Sequence, residues 1–386
     1  MLPLQGIRVV EIGVVIAGPA AAALLGDWGA EVIKVEPLDG DPARGNPAKS
    51  YFQLDNRGKR SMAVDIASPE GLGIVLALLD SADVFVTNLR ARALTRLGLD
   101  PASLAARNPR LVYASVSGYG PTGPAEDKPG YDIGAFWSRA GVAAALVGPG
   151  NEPPVSRPGM GDHTTALSLV SGILAALLER GRTGRGQTVS TSLMRAGTYF
   201  ISSDISALLN GDRPQSGLRR AMYNPLLACY QAADSRWFWL LGLQAWRHWP
   251  NVLAAVGRTE LLDDARFSSF TALTTHREEV MSVLDAEFAR RPLSEWAPIF
   301  DAHDVWWDPV QDLDEVVADP LFEACGAVRP MVGGVRTIAP PADLAHHDLG
   351  PAGPAPETGQ HTEEILLELG YDWDRIAHLK KSSTVG

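Results

Sequence analysis

The N-terminal segment contains the pattern that most restricts what this chain can fold into. Residues 7–12 (IRVVEI) form a short, β-branched run between glycines, which predicts a buried strand. Pro19 suits the first turn of the helix that follows, and that helix is predicted to end near Gly29. A second strand over 31–35 completes a β-α-β unit. Because such units build parallel sheets, the sequence predicts an α/β fold.

The same alternation of short apolar runs and helical segments continues over residues 1–125. It predicts a doubly wound parallel sheet in this region. The remaining predicted strands cover 60–64, 84–87 and 111–116, and the remaining predicted helices cover 69–79, 91–97, 163–180, 191–209 and 361–369.

The composition changes near residue 210, which indicates a second domain. Seven of the ten tryptophans lie between residues 237 and 307. A chain of 386 residues is long enough for two domains at ~100–200 residues each. We therefore expect a smaller α+β domain to begin near residue 210.

Charge and terminal sequence restrict the partners. The chain has 34 Lys and Arg against 45 Asp and Glu, a net charge of −11, which argues against nucleic acids and anionic membranes. The N-terminus lacks the pattern of a signal peptide, and the apolar stretch 166–178 is too short to cross a bilayer. Cys229 and Cys325 lie far apart in sequence and are expected to be buried, reduced thiols. These features predict a soluble, cytoplasmic protein without a metal site.

Motifs of several common enzyme classes are missing from the sequence. The turn after the first strand reads GVVIAGP rather than GxGxxG, although Glu36 stands where an acidic residue would hold a ribose. The sequence also lacks the GxSxG and HExxH motifs of serine hydrolases and zinc proteases. Dinucleotide binding and these two hydrolytic mechanisms are therefore disfavoured.

The segment RPGMGDHTT places Asp162 after a glycine-rich loop, at or just before a helix start. In one interpretation Asp162 is an N-cap that accepts a backbone N–H, worth ~1 kcal/mol. In the other, these amides and the helix dipole hold its pKa below the ordinary value, and the flanking glycines admit a substrate to a covalent nucleophile. Neighbouring N–H groups could then receive an oxyanion. His163 is expected to pack or hydrogen-bond elsewhere, since successive helix residues do not face each other.

Two basic clusters are candidates for phosphate contacts, because guanidinium groups match phosphate oxygens. A solvated surface is the alternative for each. The second cluster follows the carboxyl end of a predicted strand, where α/β proteins bind ligands, and is the stronger candidate. The first cluster contains Arg57, Lys59 and Arg60, and the second contains Arg90, Arg92 and Arg96.

Eight segments, in order along nearly the whole chain, resemble the class III CoA transferases. This CaiB/BaiF family includes formyl-CoA and carnitine CoA transferases and the α-methylacyl-CoA racemases. The resemblance implies an enzyme whose substrates are an acyl-CoA and a carboxylic acid, with no permanently bound cofactor. The segments are GIRVVEIG with AGPAAAALLGDWGAEVIKVEP, NRGKRSMAVDI, ADVFVTNLR with LTRLGLD, NPRLVYASVSGYGPTGP, GYDI, MGDHTT, GILAALLERGRTGRGQ and GQHTEEILLELGY.

The resemblance also implies a role for each residue at a matching position. Asp162 matches the family's catalytic aspartate, which attacks the donor thioester and then carries CoA as an aspartyl thioester. The positions implied to lie near the thioester are Tyr131, Asp132, Gly161 and His163. The positions implied to bind CoA are Asn88, Arg90, Arg96, Ser117 and Gly118.

The implied architecture is a Rossmann-like large domain over 1–209, completed by a C-terminal segment over 329–386. A smaller α+β domain covers 210–328, and two chains are expected to interlock as rings in a homodimer. The tryptophans of the small domain then have two interpretations, since they either line an acyl pocket or form the core.

The chain departs from two branches of the family. The racemase branch resembles GHDIN, with a histidine base where this chain has Tyr131, and a phenol is a poor general base at neutral pH. CoA transfer is therefore favoured, with a 2-methylacyl-CoA racemase or epimerase as the alternative. Formyl-CoA transferases carry Gln where this chain has Ile16, and their glycine-rich loop has no counterpart over 222–230. A small, oxalate-like acid is therefore disfavoured as a substrate.

Overall fold

The computed structural model describes residues 1–148, 150–214 and 218–386. The chain divides into two compact units. The large unit consists of residues 1–142, 155–200 and 321–386, and the small unit consists of residues 143–154 and 201–320. Pro149 and residues 215–217, which fall inside the predicted domains, lie outside the described residues.

Within the described residues, the large unit contains a six-stranded parallel sheet with the order β3-β2-β1-β4-β5-β6. This sheet confirms the predicted α/β fold. Because the order of the strands reverses between β1 and β4, ligands are expected at the carboxyl ends of the strands around this point. The strands are β1 (Arg8–Ile12), β2 (Glu31–Glu36), β3 (Arg60–Ala63), β4 (Val84–Thr87), β5 (Val112–Ser117) and β6 (Thr188–Ser192).

Helices connect the strands and continue through the rest of the chain. The helices before residue 201 are α1 (Ala17–Asp27), α2 (Lys49–Asn56), α3 (Pro69–Asp80), α4 (Ala91–Arg96), α5 (Pro101–Arg107), α6 (Val142–Ala145), α7 (Met160–Thr183) and α8 (Leu193–Phe200). The later ones are α9 (Ser202–Leu209), α10 (Ala245–Val256), α11 (Phe270–Thr275), α12 (Arg277–Phe288), α13 (Leu293–Ala302), α14 (Leu313–Ala318), α15 (Pro320–Ala324), α16 (Thr362–Glu368) and α17 (Trp373–Lys381). A π-helix covers Ile133–Arg139, and short 3₁₀ turns cover Pro42–Gly45, Arg219–Ala221, Thr259–Asp263 and Ala265–Phe267.

Successive strand residues supply two cores, one on each face of the parallel sheet. Val9 and Val84 are fully buried in a core that includes side chains of α1 and α7. Val10 and Phe85 are fully buried in a second core, with side chains of α3, α16 and α17. Strands buried on both faces are near-continuous apolar runs, and this is the pattern that the sequence shows in β1 and β4.

The predicted helix over 191–209 is wrong in its first part. Residues Thr188–Ser192 form β6, which pairs in parallel with β5, and α8 begins only at Leu193. The helical region is also divided, since α9 starts at Ser202. The sequence TVSTS has no apolar periodicity, so its pairing with β5 rather than its local pattern determines its conformation.

Helix α7 starts earlier than predicted and has 24 residues. Among the described residues it is the one helix long and apolar enough to cross a membrane, judged by length and composition alone. Ala166, Leu169 and Ile173 on this helix are buried in the core of the large unit. Core helices of soluble proteins also meet the criteria of length and composition, so these criteria are weak evidence for a membrane span.

The small unit contains an antiparallel sheet of β7 (Cys229–Gln231), β8 (Trp237–Leu240) and β9 (Trp307–Pro309). Its tryptophans divide between core and surface. Trp249 and Trp296 are buried in the core, whereas Trp237, Trp239, Trp246 and Trp306 are exposed. The core interpretation therefore applies to part of the cluster. A further antiparallel pair, β10 (Val328–Pro330) and β11 (Arg336–Ile338), belongs to the large unit.

The two cysteines are free thiols, but the expectation that both are buried is wrong. Cys229 is half-buried in β7, and Cys325 is exposed just after α15. Positions at the end of a short helix or on an open sheet leave a side chain in contact with water, which the surrounding sequence does not reveal.

Candidate active site

A cavity of about 430 Å³ opens at the carboxyl ends of the central strands of the large unit. Its walls come from the turns after β1, β4 and β5, from the end of β6 and from the start of α7. The cavity therefore lies at the reversal of strand order, where parallel α/β folds bind ligands. The residues lining it include Val14, Val15, Ile16, Asn88, Arg90, Ser117, Gly118, Lys128, Tyr131, Asp162 and Leu193.

Asn88 holds the turn after β1 in a strained conformation. Its Nδ2 donates to the Val14 carbonyl oxygen over 2.7 Å, and its Oδ1 accepts from the Val14 amide over 2.9 Å. The next residue, Val15, has a φ of 68°, a left-handed conformation that β-branched residues rarely adopt. Strain of this kind persists where surrounding bonds enforce it, and it is concentrated at functional sites. Asn88 thus shapes the cavity wall, and its contact with CoA stays a prediction.

Asp162 is the third residue of α7, and it lines the cavity. The helix begins at Met160, directly after Gly159, whose φ is 74°. The N-cap interpretation of Asp162 is therefore wrong, because the residue lies inside the first turn. A residue distant in sequence satisfies the helix start instead, since Asp132 Oδ2 accepts from the Gly161 amide over 3.0 Å.

The Asp162 carboxyl group is half-buried, and none of the described residues donates a hydrogen bond to it. Burial raises its pKa, the charges of Asp132 and Asp55 raise it further, and the charge of His163 opposes them, so that its pKa is about 7. This corrects the expected lowering of the pKa, because removal from water outweighs the helix dipole. The ionised and protonated forms of Asp162 are therefore both populated at neutral pH.

Two glycines at the site are required by close packing. A Cβ on Gly161 would lie 2.3 Å from Asp132 Oδ1 and 2.4 Å from Phe136 Cγ. A Cβ on Gly118, in the cavity wall, would lie 2.7 Å from Gly130 Cα. All three distances are far shorter than a van der Waals contact allows, so these glycines permit the site to assemble.

The structure brings most, but not all, of the predicted site residues into the cavity wall. Ser117 lines the cavity and its Oγ accepts from the Gly120 amide over 3.0 Å. Tyr131 also lines it and is 73% exposed. The predicted residues in the cavity wall are Asp162, Tyr131, Asn88, Arg90, Ser117 and Gly118. Of the residues that the structure describes, Arg96, Asp132, Gly161 and His163 were predicted at the site but do not line the cavity.

Sequence reasoning missed two residues of this region. Lys128 lines the cavity, with its ammonium group 5.4 Å from the centre of the Tyr119 ring. Asp55 Oδ1 is 2.9 Å from Nε2 of His163, a residue 108 positions away. Lys128 follows an irregular Pro- and Gly-rich loop, and the bond to Asp55 depends on the packing of α2 near α7, so no local signal indicated either residue. His163 is a hydrogen-bonding residue, as predicted.

The first basic cluster is not free to bind phosphate, which removes it as a candidate, and the alternative of a solvated surface does not hold for the buried Arg57 and Lys59. Each member is paired with a carboxylate of the large unit, because the cluster lies in and beside β3 rather than on a solvated loop. Glu36 is likewise buried and bonded to Arg44 over 2.7 Å, which leaves it no role with a ribose. The pairs are Arg57 Nε with Asp27 Oδ2 at 3.1 Å, Lys59 Nζ with Glu11 Oε2 at 2.6 Å and Arg60 Nη1 with Glu31 Oε1 at 2.6 Å.

The strand order, the cavity at its reversal and the carboxyl group on the cavity wall define a class of protein. It is a Rossmann-type α/β protein that presents a titrating acid, rather than a dinucleotide fingerprint, to its ligand. Residues 4–362 match the model of CoA-transferase family III. The chain belongs to this family, as the resemblance predicted, and is a CoA-transferase that uses CoA thioesters as substrates.

Similarity to known proteins extends over nearly the whole chain. The (R)-2-hydroxy-4-methylpentanoate CoA-transferase of Clostridioides difficile is 32% identical over 397 residues, which cover 99% of each protein. The cinnamoyl-CoA:phenyllactate CoA-transferase of Clostridium sporogenes is 31% identical over 405 residues, which cover 99% of this chain and 97% of that protein. The crystal structure of a CaiB/BaiF family protein from Brucella suis matches with a TM-score of 0.84 and 29% identity, covering 95% of this chain and 99% of that one.

Proposed function

We propose that this protein moves CoA from an acyl-CoA donor to a carboxylic acid, with Asp162 as the covalent nucleophile. The observation that carries the proposal is that Asp162 lines the cavity, half-buried and without a hydrogen bond to the described residues. Carboxylates with a strongly shifted pKa in a cavity are typical of functional sites. Within the described part of the chain, neither helix capping nor an ion pair occupies this carboxylate, so it is available to a substrate.

In the proposed first half-reaction, an oxygen of the Asp162 carboxylate attacks the carbonyl carbon of the donor thioester. The C–S bond breaks, CoA leaves as a thiolate with the electron pair, and a mixed anhydride remains. The thiolate then attacks the Asp162 carbonyl carbon, and the donor acid leaves as a carboxylate. Asp162 now carries CoA as a thioester, and no proton has been gained or lost.

The second half-reaction repeats these steps with the acceptor. A carboxylate oxygen of the acceptor attacks the Asp162 thioester carbon and releases the CoA thiolate. The thiolate attacks the acceptor carbonyl of the new anhydride, which forms the acceptor–CoA thioester and returns Asp162 as a carboxylate. Covalent catalysis thereby replaces one difficult exchange between two acids with four simpler displacements.

The cavity wall supports the assignment of the other residues. Asn88, Arg90, Ser117 and Gly118 are proposed to contact CoA, because all four line the cavity. Tyr131 is proposed to lie beside the thioester for the same reason. Asp132, Gly161 and His163 are proposed to shape the start of α7 from behind, and Arg96 is retained as a CoA contact on the family resemblance.

The lining also supports a proposal for the acids. Val14, Ile16 and Leu193 give the cavity apolar walls, which favour an apolar acyl chain over a small polar one. Two relatives are named for 2-hydroxy-4-methylpentanoate and for cinnamoyl-CoA with phenyllactate. We therefore propose a branched or aromatic acid as donor or acceptor.

We also propose that the protein works as a cytoplasmic homodimer of interlocked chains. Large apolar side chains on the surface of the large unit support association, since Leu178 is 70% exposed and Tyr199 is 79% exposed. Light scattering after gel filtration is expected to give twice the mass of one chain. The mass of a single chain across a range of protein concentrations would contradict the dimer.

An acceptor labelled with oxygen-18 in its carboxylate tests the proposed route. One labelled oxygen is expected on Asp162 after a single complete exchange, because the donor acid leaves with one Asp162 oxygen and the bridging oxygen of the second anhydride, which comes from the acceptor, stays with the enzyme. Mass spectrometry of the peptide that contains Asp162 measures this gain. Continued exchange without label on Asp162 would rule out the route. Deuterium entering the α-carbon of a 2-methylacyl-CoA without any acceptor would indicate the racemase instead.

A further inference from the structure

A second carboxylate lies behind the nucleophile and is bonded to its neighbour in the chain. Asp55, on α2, has a side chain that is 5% exposed, and its Oδ1 is 2.9 Å from His163 Nε2. His163 directly follows Asp162 in the first turn of α7. The pair therefore connects the buried interior to the residue beside the nucleophile.

The imidazole ring of His163 also lies close to the loop before α7. A Cβ on Gly159 would lie 2.9 Å from the Cε1 and 3.0 Å from the Nδ1 of that ring. Gly159 also has a φ of 74°, so a side chain is disfavoured there on two grounds. The ring therefore lies between Asp55 and the Gly159 backbone, and the His163 side chain is 40% exposed.

The charges around these groups oppose one another. Burial lowers the pKa of His163 and the charge of Arg57 lowers it too, but the hydrogen bond and charge of Asp55 and the charge of Asp162 outweigh them, so the pKa is raised. For Asp162, burial and the charges of Asp132 and Asp55 all favour the protonated acid. Among the charges of the described residues that act on Asp162, that of His163 alone favours the carboxylate.

We propose that Asp55 keeps His163 cationic beside Asp162, and that this cation keeps the nucleophile ionised. His163 is then a positioning residue that acts through its charge, since adjacent residues of a helix do not face each other. The proposal rests on the proposed function, because it matters only if Asp162 attacks as a carboxylate. It also gives a role to the buried acid Asp55, whose charge alone would oppose ionisation of the nucleophile.

The pH dependence of kcat/KM for His163→Gln tests the proposal. Glutamine can still bond to Asp55 but carries no charge. The midpoint of the acidic limb is expected to move up by about one pH unit, with about tenfold less activity below the midpoint and the wild-type plateau above it. The control His378→Gln, at an exposed position in α17, is expected to leave the midpoint unchanged. An unshifted midpoint, or an equal loss of activity at every pH, would overturn the proposal.

Asp55→Asn is a second variant, for which a smaller shift of the midpoint is expected. It removes the group that keeps His163 cationic, but also a negative charge that itself disfavours the Asp162 carboxylate. The midpoint is therefore expected to rise by less than in His163→Gln. A shift to lower pH would contradict the proposed coupling.

A measurement that needs no change at Asp55 or His163 keeps the proposal testable if those variants fail to fold. The His163 ring is titrated by NMR in the wild type and in Asp162→Asn. Loss of the Asp162 charge is expected to lower the His163 pKa, and an unchanged pKa would overturn the proposal.

The outcomes separate this inference from the proposed function. Exchange retained by Asp162→Asn would remove the proposed function and the inference with it. An inactive Asp162→Asn together with an unshifted His163→Gln midpoint would remove the inference alone.

Discussion

Two sets of buried carboxylates in the large unit are held in opposite ways. Glu11 is fully buried, and its two oxygens accept from Lys34 Nζ over 2.9 Å and from Lys59 Nζ over 2.6 Å. Lys34 also pairs with Asp41 over 2.8 Å, so each charge in this cluster has a partner. Asp162 lines the cavity at the carboxyl ends of the strands of the same sheet. It is half-buried and has no hydrogen bond to the described residues.

Burial alone does not decide whether an acid has a structural or a chemical role. The bonding partners of the acid decide it to a greater extent. In the Glu11 cluster, burial lowers the pKa of Lys59 to about 8, and the charge of Glu11 opposes a further fall. Every member is bonded inside the protein, which leaves nothing for a substrate. Asp162 has no such partner among the described residues, and its raised pKa leaves it both reactive and costly to ionise.

Removing the Asp162 carboxylate is expected to have the largest effect on activity. Asp162→Asn should lower the rate of exchange between an acyl-CoA and a free acid by about ten-thousandfold, because the nucleophile is gone. Asp374→Asn, an exposed change in α17, is the matched control and should keep full activity. Exchange in Asp162→Asn within tenfold of the wild type would place the nucleophile elsewhere.

Removing the paired carboxylate of Glu11 is expected to change the stability of the fold instead of the activity. Glu11→Gln leaves Lys34 and Lys59 short of a negative partner and should lower the free energy of unfolding by about 3–5 kcal/mol. Urea unfolding followed by circular dichroism measures the change. Glu70→Gln, which breaks the exposed pair with Arg375, should change it by less than about 1 kcal/mol. Equal effects of the two variants would show that the Glu11 cluster is not a structural centre.

The pH dependence of the wild type sharpens the comparison. The pKa of Asp162 is about 7, and only the ionised form attacks. Consequently, kcat/KM for the acyl-CoA should fall about tenfold for each pH unit below this value and level off above it. A profile that stays flat down to the ordinary range of an aspartate would show that burial does not control the nucleophile.

The smallest expected effect is a gain of stability in Asp162→Asn. The folded pKa of Asp162 is raised above its unfolded value, so its contribution to stability is complete at low pH and is lost as pH rises through about 7. Asparagine does not titrate. The melting temperature of the Asp162→Asn protein should therefore exceed that of the wild type by about 2 °C above neutral pH, and by less at pH 5. A difference that does not depend on pH would contradict the shifted pKa.

The sequence predicted the fold well where local patterns and burial agree. The apolar strands β1 and β4 form as expected, as does α1 with Pro19 in its first turn, and together they fix the cavity at the reversal of strand order. Strand β6 was missed because TVSTS has no apolar period and is defined by its neighbour β5. Local sequence patterns predict the elements that bury their own apolar side chains. They do not predict an element whose conformation is determined by pairing with a neighbouring strand.

The candidate site was predicted in part, for a related reason. The glycine-rich segment before α7 indicated Asp162, and the cavity includes that residue. The direction of its pKa shift was wrong because desolvation depends on the assembled walls and not on the helix start alone. Arg57 remained a candidate for a ligand contact because its partner Asp27 is 30 residues away, and Asp27 also pairs with Arg329, 302 residues further along the chain. Such distant ion pairs leave no pattern in one sequence.

The central claim is that Asp162 carries CoA between two acids. Its most direct test is to mix the enzyme with an acyl-CoA without acceptor, add hydroxylamine, and locate the modified residue by mass spectrometry. The account predicts a hydroxamate on Asp162, formed from the aspartyl-CoA thioester, and none in Asp162→Asn. A hydroxamate on another residue, or none in an enzyme that exchanges CoA at full rate, would contradict it.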